Sequence, residues 1–380
     1  MKQKLFSKLK IMFKNTSFWL VVVFFFLLFS IFFFTPLFLS SQISYNLEEF
    51  KKSLISFKPE PEFPPLDIAD YDRRIEDLAN NPPPQVVAPK LDPNGNEIPV
   101  VPTPFPTYLW PVKTVYPNDG AILPFNRIIA YYGNLYSTKM GVLGEYPETE
   151  MFAKLKTEMD KWNLADPFTP VIPALHYIAV TAQSSPGEDS QHRLRMPDSE
   201  IDKILKMAEK INALVFLDLQ VGFSTIQVEL PRLEKYFKMP NVHLGIDPEF
   251  SMKTGIRPGK VVGTYDASDI NFAANYLAQL VRNNNLPPKV LVVHRYTEKM
   301  VTNYKMIVPL PEVQIVMHMD GWGGKAKKIN TYEQFIYKQP VQFTGFKLFY
   351  KNDILEPGTV LTSPDDLLKL RPKPIYIQYQ

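Results

Sequence analysis

The stretch "GIDPEF", Gly245 to Phe250, sets two carboxylates two residues apart, Asp247 and Glu249, directly behind the apolar run Val242 to Ile246, which only His243 interrupts. In an extended strand alternate side chains share a face, so both acids would point the same way. Paired acids at the end of a hydrophobic strand suit acid–base work on a glycosidic bond. One carboxyl, kept protonated by its neighbours, gives its proton to the leaving oxygen; the other stabilises positive charge or orients the attacking group. A local reading competes: Asp247 precedes Pro248 and could simply cap or turn the chain.

Other apolar runs close on polar residues in the same manner. "RIIAYYG" brings Tyr132, "ALVFLDLQ" brings Asp218 and Gln220, and "KVLVVHRYT" brings His294 and Tyr296. "VQIVMHMD" ends on His318 and Asp320, "FTGFKLFY" on Lys347 and Tyr350, and "PIYIQYQ" on Gln378 and Gln380. His294 on an apolar strand also reads as a satisfied core histidine. His176 and His243 lie mid-strand and read as structural; His192, in "PGEDSQHRLR", reads as solvated. A metal site built from Asp218, Asp247, Glu249, His294 and Asp320 is conceivable. The chain lacks HExxH and His-x-His spacing, so the expectation is no metal, and equally no cofactor. "GWGGK", Gly321 to Lys325, is a glycine turn and not a phosphate-binding loop.

What must position these groups is a set of strands. With "VIPALHYIAV" and "VHLGIDPEF" the apolar runs number eight, and amphipathic stretches separate them. Met151, Phe152, Leu155, Met159 and Trp162 fall on one helical stripe, as do Ile201, Ile204, Leu205, Ala208 and Ile211, and Ile270, Ala273, Ala274, Leu277, Leu280 and Val281. Ser363-Pro364 followed by two acids reads as a helix start. Near-continuous apolar strands alternating with helices predict a parallel sheet covered by helices, and eight repeats predict a (β/α)8 barrel of the TIM type. An open doubly wound sheet lacks its Gly-rich turn after the first strand. In a barrel the active site lies at the C-terminal strand ends, where the polar residues fall.

Asp-x-Glu on the fourth strand resembles the acid motif of chitinase-type and lysozyme-type barrels. The resemblance implies Glu249 as proton donor and Asp247 as its assistant. Asp218 and Asp320 would then flank the sugar, with Tyr296 or Tyr350 hydrogen-bonding it and Trp322 of "DGWGG" stacking on it. Tyr132, Gln220, His294, Lys347 and Gln378 complete the expected substrate-binding set. Trp322 also reads as loop packing, and Glu145, in "MGVLGE" after the first strand, is a weaker second acid.

The domain as a whole resembles an uncharacterised family of exported bacterial proteins, many of them lipoproteins, with a TIM-barrel, glycoside-hydrolase-like domain. The carrying stretches are "YYGNLYSTKMGVLGE", Pro186-Gly187, "LDLQ", "IDPEF", "VVHRYT", "DGWG", "GFKLFY" and the terminal "YQ", spanning Tyr131 to Gln380. The resemblance implies an extracytoplasmic, envelope-associated domain and supplies no reaction. Relatives carry His-Pro after "YYG" where this chain has Asn134-Leu135, and they often anchor through a lipidated cysteine, which this chain lacks.

Composition bounds the rest. Lys+Arg is 42 and Asp+Glu 39 over 380 residues, a net charge of +3, which gives no argument for nucleic acid. Five lysines, Lys2 to Lys14, precede any acid, and without them the chain is slightly acidic. There is no cysteine, hence no disulfide and no thiolate metal site. Residues 17–41 carry no charge and match the ~20 apolar residues of a membrane-crossing helix. That run is longer than a cleaved signal's apolar region and has no clear cleavage site behind it, so a signal anchor is expected, with the basic tail 1–16 in the cytoplasm. Residues 42–125 are proline-dense and predict an extended linker with a short helix near Tyr71 to Ala79; Tyr108 to Pro124 is expected to pack on the domain. Residues 126–380 are the barrel. The expected protein is a single-pass plasma-membrane protein whose barrel faces outward onto an envelope polysaccharide. The alternative is a non-catalytic carbohydrate-binding or envelope-scaffold module on a degenerate barrel.

Overall fold

The structure, a computed structural model, describes residues 63–83 and 107–380. The basic tail 1–16 and the apolar run 17–41 lie outside the described residues. Among the described residues, no helix is long and apolar enough to cross a membrane.

Parallel strands close into a ring. Strand β1 (Arg127–Gly133) pairs with β2 (Val171–Ala182), which pairs with β3 (Leu214–Leu219). The ladder continues through β4 (Val242–Ile246), β5 (Lys289–Arg295) and β6 (Val313–Met319). It returns through β7 (Phe343–Leu348) and β8 (Tyr376–Tyr379) to β1. Closure leaves the eight-strand ring no free edge. This is the (β/α)8 barrel that the alternating pattern predicts. Two short ladders decorate it: Arg193–Arg195 adds antiparallel to β2, and Tyr265–Asp266 pairs with Val301–Thr302.

Helices α1 (Ile68–Ala79), α2 (Glu148–Ala165), α3 (Asp198–Lys210), α4 (Ala267–Asn284) and α5 (Lys325–Tyr332) are the longest of the helices that surround the barrel. Helix α4 starts on a reciprocal capping box between Asp266 and Asp269 and stops at Asn285, whose φ of 46° suits asparagine. Ser363 caps a single turn, Pro364–Leu367, in the connection from β7 to β8.

Period-two alternation sorts every strand into two sets. Ile129, Tyr131, Val215, Leu217, Leu291 and Val293 face outward and pack with Leu155, Trp162, Ile204 and Leu277 of the helices. Ile128, Ala130, Phe216, Val290, Val292, Val316 and Tyr376 face inward and form a second apolar cluster in the lower half of the barrel. Leu123, fully buried, seals that end. Gln314 of β6 holds the seal: its Oε1 accepts from Ile122 N (3.1 Å) and Leu123 N (3.0 Å), and its Nε2 donates to Leu123 O (2.6 Å).

The compact unit begins at Phe63. Two stretches of the proline-rich segment therefore pack against the barrel's lower end. Tyr71 and Leu78 of α1 join the lower apolar cluster, Lys373 N donates to Leu78 O (2.7 Å), and Trp110 Nε1 donates to Tyr337 O (2.9 Å). Asp67 caps helix α1, its side chain accepting from Asp70 N, and the helix begins at Ile68, three residues before the predicted start.

Candidate active site at the barrel mouth

Strand register lifts the polar residues to one level. Tyr132 pairs with His176, Asp218 with Gly245, His294 with His318, and Lys347 with Gln378. All point into the upper half of the barrel, where they form two tiers.

The deeper tier is a chain of ionisable groups. Asp218 Oδ1 lies 3.4 Å from His176 Nε2 and 3.5 Å from His294 Nε2. His294 Nδ1 lies 2.9 Å from Asp320 Oδ2, and Asp320 Oδ1 lies 2.9 Å from Lys347 Nζ. Burial alone would lower the His294 pKa, but the Asp218 and Asp320 carboxylates raise it to about 10. Burial works against both acids too, yet the His294 and His176 imidazoles hold Asp218 below the usual carboxylate range. Lys347 and His294 do the same for Asp320. Burial draws His176 down to about 4 and His318 well below the ordinary histidine value, so these two are neutral. The result is one imidazolium held between two carboxylates, with the second carboxylate shared by a lysine. Gly245 is required here: a Cβ would come within 2.4 Å of His176 Nε2 and 2.5 Å of Asp218 Oδ1.

Above this tier opens a cleft of about 580 Å³. Its floor is Tyr132, Gln220, Asp247, Asp320 and Lys347, and its walls include Glu249, Tyr296 and Trp322. Tyr132 Oη donates to Asp218 Oδ2 (2.8 Å) and accepts from Gln220 Nε2 (3.2 Å), joining the tiers. The Lys347 ammonium lies 3.9 Å from the centre of the Tyr132 ring.

The two acids of "GIDPEF" meet in this cleft by a route other than strand alternation. Strand β4 ends at Ile246, and Pro248–Phe250 form a 3-10 turn. Asp247 caps that turn, its Oδ1 accepting from Glu249 N (3.0 Å). Pro248 has no N–H to extend the ladder, so the extended reading of Asp247 to Glu249 gives way to a capped turn. Burial raises the Asp247 pKa well above the ordinary value, with Glu249 and Asp218 adding to it. Glu249 is half-buried; burial and then the Asp320 charge raise its pKa. The nearby Tyr296 hydroxyl and the Lys347 and His294 charges oppose that rise, but among the described residues Glu249 makes no ion pair with any lysine, arginine or histidine.

Four residues expected at the substrate surface lie elsewhere. Asp218, His294 and Gln378 are fully buried beneath the cleft floor. Gln378 is engaged with His176 Nδ1 (3.0 Å) and Tyr376 Oη (3.1 Å). Tyr350 faces the outer layer, bonded to Tyr131 Oη (2.9 Å) and stacked on Tyr379. It is three residues beyond inward-facing Lys347, so alternation turns it away. Glu145 pairs with Lys351 outside the cleft. Asn134 is buried, and its Nδ2 donates to Ile178 O (3.0 Å).

Some contributors were not singled out from the sequence. Asp353 accepts from Gly323 N (3.0 Å), Phe349 N (2.9 Å) and Lys328 Nζ (2.7 Å), tying the loops after β6 and β7 together. That clamp holds Trp322 at the rim, 52% exposed, with Lys327 Nζ 4.7 Å from its ring centre. His176, read as structural, belongs to the deep tier. A signal was present: four of the chain's five histidines, His176, His243, His294 and His318, sit inside apolar runs at inward positions.

No protein-family model matches the chain, and no curated protein matches it. Among solved structures it is similar to a ruminal GH26 endo-beta-1,4-mannanase, at 10% identity and a TM-score of 0.30, over 67% of this chain and 58% of that one. It is also similar to dihydropteroate synthase of Burkholderia cenocepacia, at 8% identity and a TM-score of 0.30, over 68% of this chain and 86% of that one. The chain thus spans little more than half of the mannanase. The barrel assignment rests on the strand pairing itself.

Proposed function

We propose that this barrel is a glycoside-hydrolase-like enzyme that cleaves a polysaccharide in the mouth cleft, with Glu249 as general acid. The observation that carries this reading is Glu249 itself. It is an acid on the cleft wall whose pKa burial and the Asp320 charge raise, against a smaller opposing pull from Tyr296, Lys347 and His294, none of which pairs with it directly. Such a carboxyl stays protonated further toward neutrality than a solvated one and can donate to a leaving oxygen. Asp320 supports the complementary role. It lines the same cleft and is kept ionised, so positive charge developing at the anomeric carbon forms beside a carboxylate. Asp247 serves by fixing the backbone of Glu249. Trp322, exposed on the rim, offers a flat apolar face to a sugar ring.

The lysine-flanked apolar run at residues 17–41 supports a place for the barrel on the outer side of the plasma membrane, with an envelope polysaccharide as substrate. The test is turnover of fluorogenic glycosides and of isolated cell-wall polymer by wild type and Glu249→Gln. Loss of about 10²–10⁴ in kcat in a folded Glu249→Gln protein is expected. Unchanged turnover in that variant would remove Glu249 from the role. Polymer binding without any turnover would mark the barrel as a carbohydrate-binding module instead. Because an acid catalyst must carry its proton, activity is expected to fall as pH rises through the raised pKa of Glu249.

A further inference from the structure

We propose that His176, Asp218 and His294 form a binding site for one divalent transition-metal ion, with zinc as the ion that this nitrogen and oxygen donor set suits. The inference does not rest on the glycosidase reading, because the three residues lie beneath the cleft floor and metal content is measured without turnover.

Three observations converge. First, His176 Nε2, Asp218 Oδ1 and His294 Nε2 all lie within 4.8 Å of one another. The two edges that meet at Asp218 are 3.4 and 3.5 Å. Ligands at about 2.0–2.1 Å from a tetrahedral ion stand roughly 3.3–3.5 Å apart, so two edges already fit. Second, the three side chains are fully buried, and the three inward atoms face only one another, at 3.4 and 3.5 Å from Asp218 Oδ1, with no contact of hydrogen-bond geometry. Polar atoms buried without partners are costly, and three at one point call for something to satisfy them.

Third, the other polar atom of each side chain is engaged from behind. His294 Nδ1 faces Asp320 Oδ2 at 2.9 Å, the carboxylate–histidine arrangement that fixes a ligating imidazole. Asp218 Oδ2 accepts from Tyr132 Oη at 2.8 Å. His176 Nδ1 lies 2.6 Å from Tyr376 Oη. With the Gln378 amide turned, its Oε1, which otherwise lacks a partner, also accepts the Nδ1 proton of His176 and leaves Nε2 free as a ligand. The ion would take the place of the proton on His294 Nε2, while the proton on His294 Nδ1 stays there, donated to Asp320. Ordinary ion pairing of Asp218 with one histidine explains neither the second imidazole nor the shared focus of three atoms.

The decisive experiment strips the full chain with a chelator, confirms folding by circular dichroism, and adds zinc or cobalt(II) alone. One equivalent per chain is expected, with the visible absorption of low-coordinate cobalt and a raised Tm. Folded Asp218→Asn and His176→Gln are each expected to lose that equivalent, whereas His192→Gln, in a surface loop, keeps it. Folded wild type that takes up neither metal overturns the proposal. So does uptake in folded His176→Gln or Asp218→Asn equal to that of wild type. Should both variants fail to fold, the wild-type cobalt spectrum decides: bands of a nitrogen-ligated, low-coordinate ion support the site, and the spectrum of the hexaaquo ion sinks it.

Discussion

The lower and upper halves of the barrel interior are built from the same eight strands and do opposite things with their polar groups. Below, the few inward polar side chains serve the backbone: Gln314 holds Ile122 and Leu123, and His243 Nδ1 accepts from Val290 N (3.1 Å). The volume around them is filled by Phe216, Val292, Val316 and Leu123. Above, Asp218, His294, Asp320 and Lys347 bind one another. An apolar half is stable group by group, since each side chain gains from burial independently. A buried ionic half is stable only as a set, because each member's desolvation is offset by the others. The proposed site lies in the half that cannot lose a member.

The sharpest way to break this contrast is Asp320→Ala. It strips His294 Nδ1 and Lys347 Nζ of the same partner and leaves two buried cations side by side. A loss of about 3–5 kcal/mol in urea unfolding is expected. A loss under about 1 kcal/mol would show that water, not the set, satisfies these groups, and the distinction between the halves would fail. Leu123→Ala is the matched change below. It opens a cavity against the lower cluster and should cost about 2–5 kcal/mol, equally at pH 5 and pH 8, since no charge is uncovered. A strong pH dependence of that cost would mean the lower seal also holds the upper set in register.

The same division governs what was legible in the sequence. The lower half and the helices follow from hydrophobic pattern alone: "RIIAYYG" is β1 from its first residue to its last, and the stripe of Ile270 to Val281 is the buried face of α4. The cleft acids Asp247, Glu249 and Asp320 were legible because they stand at strand ends. Their conformation was not, since Pro248 converts the last step of β4 into a capped turn. The deep tier was the least legible. That His176 faces Asp218 depends on the pairing of β1, β2 and β3, a relation among residues some forty positions apart that no local spacing encodes. Tyr350 shows the reverse error, for its odd distance from Lys347 already placed it on the outer face.

The smallest effect probes a lower-rim group that departs from its half. Lys289, the first residue of β5, is fully buried and donates to Met239 O (2.5 Å), with no carboxylate partner among the described residues. Burial alone draws its pKa from 10.5 to about 7. A base with a depressed folded pKa contributes stability that is complete above 10.5 and is lost as pH falls through 7, because the unfolded chain binds the extra proton in that window. Raising pH from 7 to 8 should therefore add about 1 kcal/mol from this residue. Lys289→Met should flatten that rise while leaving the barrel folded, as measured by urea unfolding at the two pH values. A slope that survives in Lys289→Met would trace to another group, and the unpaired lysine would then carry its charge in the fold. That result would mean the lower half tolerates an isolated ion, and the rule separating the two halves would have to be drawn by partner geometry instead of by depth.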